Sequence, residues 1–150
     1  MDLVEYAMVK QGYHVFVDIP GHKFHYDSFP AGLMYSGQRP DLILWNPEEQ
    51  KVVIAELTCP MEGNISRRHD EKTVRYLGLC ANLRSLNYHV ELIPFEVSAR
   101  GLVAESVSEL LKVINIGKGS ARKIRKALSC TVLEASYKIF LKRNTKNWLE

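Results

Sequence analysis

Residues 39–58, RPDLILWNPEEQKVVIAELT, read as two β-strands, 41–46 and 51–58, joined by Pro47, Glu48, Glu49 and Gln50. Runs rich in β-branched and aromatic residues favour strands, and Asn-Pro before two glutamates favours a turn. With that four-residue loop, antiparallel pairing joins positions whose numbers sum to 97, so Asp41 stands opposite Glu56. Directly opposed residues project from the same sheet face with Cβ atoms about 4.5–5.5 Å apart. Two carboxylates that close repel each other, and they also offer a hard divalent cation an oxygen cage. Leu42, Leu44, Val53, Ala55 and Leu57 line one face of the pair, and Ile43, Trp45, Val52 and Ile54 line the other. Apolar residues on both faces predict central strands covered on both sides. The polar exceptions, Asp41, Glu56 and Thr58, gather at one end, which marks that end for chemistry.

Outward from the hairpin, residues 2–11 place Leu3, Val4, Ala7 and Met8 at helical spacing, with Gly12 as the stop. YHVFVDI (13–19) alternates as a strand does, and 20–38 reads mainly as a long loop. After Cys59-Pro60 a helix is expected from about Ser66 to Asn87, with Ser66 as its N-cap and His69 where a capping box prefers Glu. Its buried side is assigned to Val74, Leu77 and Ala81, with Cys80 and Leu83 less squarely placed. Arg68, Lys72, Arg75 and Tyr76 share another stripe. HVELIPFEVS (89–98) is a further strand, and Pro94 places it at an edge or a bulge. Residues 104–115 and 119–143 read as two more helices. The order α-β-β-β-α-β predicts an α/β (α+β) domain, a central mixed sheet flanked by helices with C-terminal helices added. One domain is expected over 1–150, with a core of about 1–103 and a basic helical extension of about 104–150.

Composition narrows the function classes. The net charge of +3 hides an asymmetry, because residues 118–146 hold nine Lys/Arg and one acid, Glu134, leaving 11 basic and 16 acidic residues elsewhere. An acidic body with a basic segment suits carboxylates that hold metal and lysines that meet backbone phosphates. No apolar run approaches the roughly 20 residues of a membrane span, and the N-terminus lacks a signal peptide's basic-then-apolar order. Cys59, Cys80 and Cys130 are widely spaced and odd in number, which fits a reducing compartment better than a disulfide framework.

Pro40-Asp41, then Glu56-Leu57-Thr58 on the neighbouring strand, is the pattern of the PD-(D/E)XK superfamily, whose core has the same αβββαβ order. From Arg39 to Trp148 the chain resembles a nuclease-like domain associated with animal retroelements, akin to the restriction-like endonucleases of non-LTR retrotransposons. The residues that carry the resemblance are RPDLILW (39–45), AELTCPMEGNI (55–65), EKTVRYLGL (71–79), FEVSARGLVAES (95–106) and LKRNTKNW (141–148). It implies a restriction-endonuclease-like core and an intracellular, nuclear DNA endonuclease dependent on Mg²⁺ or Mn²⁺. Asp41 and Glu56 would bind the ion, with the Leu57 carbonyl and Glu62 as further ligands.

Thr58 departs from the superfamily, which usually has lysine there to activate water and stabilise negative charge. The retroelement-type domains carry a lysine and a tyrosine on the following helix, which assigns those roles to Lys72 and Tyr76. Backbone contacts to DNA are expected from Arg39, Arg68, Arg75, Arg100, Lys118, Arg122, Lys123, Arg125 and Lys126, with steeply salt-dependent binding. Glu62 serves equally well as a cap for the helix near Ser66, and Glu5 as an ordinary solvated acid. His22 and His25 lack partners at zinc-finger spacing. NIGKGSARKI (115–124) partly resembles a helix-hairpin-helix turn, with Asn115 in place of its first glycine. Two alternatives stay open: a catalytically degenerate nucleic-acid-binding module of the same fold, and a structure-specific or RNA-directed nuclease. A homodimer is also left open.

Overall fold

The hairpin forms in the expected register. In a computed structural model of the chain, residues 8–18 and 37–143 are described. Strand β2 (Leu42–Asn46) pairs antiparallel with β3 (Lys51–Thr58), with Leu42 opposite Ala55 and Asn46 opposite Lys51. The turn closes with Gln50 in the left-handed region at φ +50°. Strand β1 (His14–Val17) adds to the other side of β2, also antiparallel. Residues 8–10 are helical and stop at Gly12, whose φ of +80° is the conformation glycine adopts at least cost. The start of that helix with Glu5, the loop with His22 and His25, and residues 144–150 lie outside the described residues.

Strand β4 (His89–Glu96) follows helix α1 (Ile65–Ser85) and completes the sheet in the order β1-β2-β3-β4. The Gln50 carbonyl accepts His89 N–H at 2.7 Å, and the Thr58 carbonyl accepts Val97 N–H at 3.1 Å. A constant offset between partners means parallel strands, so the sheet is mixed and β3-α1-β4 is a crossover unit. Pro94 does lie on an edge strand, where its missing N–H costs no ladder bond. Two helices follow, α2 (Glu105–Val113) and α3 (Lys118–Lys142). The α+β class is therefore as expected. No helix among the described residues is long and apolar enough to cross a membrane. All three cysteines are free thiols.

The described residues divide into two compact units, one within 1–57 and 70–94, the other within 58–69 and 95–150. In the first, Phe16, Ile43, Val52, Ile54 and Val90 form a core with Tyr76, Leu79, Cys80 and Leu83 of α1. This corrects the expected buried side of the helix: Val74, Leu77 and Ala81 stand exposed. Both stripes have helical spacing, so apolar periodicity cannot choose between them. The stripe that is buried also carries Lys72 and Tyr76 to a carboxylate that would otherwise be buried with the Asp41 N–H as its one described donor. The start of α1 is a second correction. A 3₁₀ turn at Glu62–Asn64 runs straight into Ile65, which puts Ser66 inside the helix rather than at its cap. His69 pairs with Glu96 instead of closing a capping box.

In the second unit, the Ser98 hydroxyl organises the turn after β4 by accepting Leu102 N–H at 3.0 Å and donating to Glu62 at 2.8 Å. Gly101 in this turn has φ +83°, and a Cβ there would come within 2.7 Å of Leu133 of α3. Only glycine fits both demands.

Candidate functional site

Continuing the β2–β3 register by one residue brings Asp41 opposite Glu56, at the end of the face that α1 covers. Each carboxylate turns back to the opposing strand. Asp41 N–H donates to Glu56 Oε2 at 3.0 Å, and Leu57 N–H donates to Asp41 Oδ2 at 2.8 Å. From α1, the Lys72 ammonium donates to Glu56 Oε1 and forms an ion pair with it, and Tyr76 OH donates to Glu56 Oε2 at 3.0 Å. Glu56 is only 4% exposed and Tyr76 is buried. Lys72 and Tyr76 are four residues apart, one helical turn, which is why one helix face delivers both to one carboxylate. The four residues named from the sequence as catalytic are thus brought together.

The electrostatics follow from burial. Desolvation pushes the Asp41 carboxyl above the usual carboxylate range; the Leu57 N–H partly offsets this, and the neighbouring Glu56 adds to it. Burial likewise holds the Tyr76 phenol well above its ordinary value, reinforced by its hydrogen bond to Glu56. Tyr76 therefore remains a proton donor to Glu56 across the neutral range.

One acid was missed in the sequence reading. Asp18 follows β1, and the β1–β2 register continued by one residue places it opposite Asp41; its N–H donates to the Asp41 carbonyl at 2.9 Å. Its charge contributes to raising Asp41. Arg39, assigned to DNA, forms an ion pair with Asp18 at 2.6 Å. Asp18 sat in the sequence at the end of a recognised strand, but its neighbour could not be named until β1 was placed beside β2.

Other expected residues are dispersed. Glu62 opens the 3₁₀ turn, and its own N–H and the Ser98 hydroxyl hold its carboxyl below the usual range. Arg68 and Arg75 are exposed on α1, and Arg100 is exposed in the turn after β4. Lys118, Arg122, Lys123 and Lys126 are exposed along the start of α3. Arg125 differs, since its guanidinium donates to the Val103 and Ala104 carbonyls at 3.2 and 3.3 Å and to the Ser108 hydroxyl. It ties α3 to the start of α2. Thr58 has a buried hydroxyl with no hydrogen-bond partner among the described residues.

The donor set suits a hard cation. Asp41 and Glu56 supply carboxylate oxygen at adjacent positions, and the burial that raises Asp41 is the penalty a bound cation relieves. No group of three or more His, Cys, Asp or Glu able to hold a metal occurs among the described residues. No family model matches the chain, and no curated protein matches it.

Proposed function

We propose that the chain is a divalent-metal-dependent nuclease of the PD-(D/E)XK type that hydrolyses phosphodiester bonds in DNA. The observation that carries this reading is the convergence of Asp41, Lys72 and Tyr76 on the buried Glu56. Asp41 and Glu56, with the Leu57 carbonyl, would hold Mg²⁺ or Mn²⁺. When bound, such an ion polarises a phosphate oxygen and lowers the pKa of a bound water. Lys72, paired with Glu56, would supply the positive charge that Thr58 cannot and stabilise negative charge on a reacting phosphate. Tyr76 shares with the Asp41 N–H the orienting of Glu56 and keeps its own proton. Lys118, Arg122, Lys123 and Lys126 form an exposed basic stretch suited to backbone phosphates. A retroelement origin and a nuclear location belong to the same proposal.

A second reading rests on a specific observation. Both oxygens of Glu56 already accept protein donors, which is how a purely structural polar cluster is satisfied. On that reading the chain is a nucleic-acid-binding module without catalysis.

Nicking of supercoiled plasmid with Mg²⁺, Mn²⁺ or EDTA separates the two. Wild type is expected to nick only with metal, and Asp41→Ala and Lys72→Ala are each expected to lose at least about 100-fold in rate. Asp41→Ala should still bind DNA. If folded wild type binds DNA without nicking it under any metal, the binding-module reading replaces the nuclease.

A further inference from the structure

Two helix surfaces carry exposed apolar side chains among the described residues, one in each compact unit. On α1 the outer stripe holds Val74 (66% exposed) and Leu77 (51%), with Gly78 and Ala81 completing it. On α3 the last turns expose Leu133 (45%), Tyr137 (61%), Phe140 (53%) and Leu141 (51%). Large side chains at helical spacing, exposed to this degree, are the mark of a surface made to be covered. We propose that the two cover each other across two copies of this chain: the apolar end of α3 docks on the outer stripe of α1 in a second copy.

Shape and charge both favour this pairing. Val74 to Ala81 rises about 10 Å and Leu133 to Leu141 about 12 Å, so the stripes match in length. Gly78 and Ala81 leave a shallow track into which Tyr137 and Phe140 fit, ridge into groove. Asp70 and Glu71 precede Val74 on α1, and Arg84 follows Ala81. On α3, Glu134 lies at the start of the stripe and Lys142 and Arg143 at its end. Antiparallel helices therefore set Arg143 against Asp70 and Glu71, and Glu134 against Arg84. A parallel arrangement would oppose like charges at both ends, so charge fixes the direction. The contact joins two different surfaces, so it is heterologous and builds a ring or a chain.

Sedimentation velocity of the full chain over a wide concentration range tests the proposal. Wild type is expected to show an average mass that rises with concentration. Leu77→Glu and Tyr137→Glu replace exposed side chains and leave the core intact. Each is expected to remain monomeric, with association weakened at least about tenfold, equivalent to 1.4 kcal/mol. Mixing the two restores one sound α1 stripe and one sound α3 stripe, and an equimolar mixture is expected to form a 1:1 dimer. The proposal is overturned by a monomeric wild type at every concentration. It is equally overturned if Leu77→Glu leaves association unchanged, which would mean that α3 pairs elsewhere, or if the mixture of variants stays monomeric.

Discussion

Two buried glutamates invite comparison, Glu56 at the end of β3 and Glu96 at the end of β4. Both are nearly sealed from solvent. Each accepts a hydroxyl from a helix, Tyr76 OH at 3.0 Å for Glu56 and Ser106 Oγ at 2.6 Å for Glu96. Each has a nitrogen base on α1, Lys72 for Glu56 and His69 at 3.0 Å for Glu96. The difference is Asp41. Beside Glu56 a second carboxylate shares the end of the hairpin and is itself raised by burial and by the charge of Glu56. Glu96 instead binds its own helix partner doubly, because Ser106 Oγ also accepts Glu96 N–H at 3.3 Å. A buried carboxylate with a hydroxyl and a base is thus an ordinary structural device in this protein. On the proposed reading, what would turn one copy of it toward metal chemistry is the second acid, Asp41, whose carboxyl is raised both by burial and by the Glu56 charge.

The largest effect that tests this contrast is loss of the base. Lys72→Ala strands the Glu56 charge in a buried site and is expected to cost about 3 kcal/mol of unfolding free energy. His69 is 38% exposed on its side chain, so His69→Ala lets water approach and is expected to cost about 1 kcal/mol. Urea unfolding at neutral pH measures both. Mn²⁺ should return part of the stability lost in Lys72→Ala, since a cation at Asp41 and Glu56 replaces the ammonium charge. The same ion should return none of the loss in His69→Ala. Equal rescue of both variants, or of neither, would erase the distinction between the two glutamates.

The hydroxyls give a smaller contrast in the opposite direction. Ser106→Ala removes two hydrogen bonds and leaves Glu96 Oε2 with no described donor, at an expected cost of about 2 kcal/mol. Tyr76→Phe removes one bond, and Glu56 Oε2 keeps the Asp41 N–H, so about 1 kcal/mol is expected. Finding Tyr76→Phe the costlier of the two would show that the phenol, rather than the hairpin backbone, holds Glu56 in place.

The two sites differ as much in how legible they are from sequence. The Asp41–Glu56 pairing follows from a four-residue turn, because loop length fixes register and register fixes which side chains meet. Lys72 and Tyr76 then follow from one helical turn. The burial of Tyr76 does not, since α1 carries two apolar stripes and only the polar demand of Glu56 selects between them. Asp18 needed β1 placed beside β2, and the long intervening segment leaves that neighbour undetermined in the sequence. Ser106 and His69 meet Glu96 from opposite directions along the chain, and no local pattern links them. Arg125 looks like its basic neighbours, yet it spends its guanidinium on carbonyls that only the folded helix pair presents.

The finest test addresses Asp41 itself. Its folded pKa lies above its unfolded value, chiefly through desolvation, so ionisation costs more in the folded state than in the unfolded one. That cost is absent below the unfolded pKa, grows as pH rises between the two values, and is complete above the folded one. Asp41→Asn keeps an oxygen for Leu57 N–H and removes the charge. It is therefore expected to be more stable than wild type at neutral pH, raising Tm by about 2 °C, with the advantage vanishing in strong acid. Mg²⁺ should narrow the gap by stabilising wild type alone, because the variant lacks the charge that holds the ion. An advantage that persists at low pH, or one that Mg²⁺ leaves untouched, would mean that packing rather than charge distinguishes Asp41. The two glutamates would then be the same device twice.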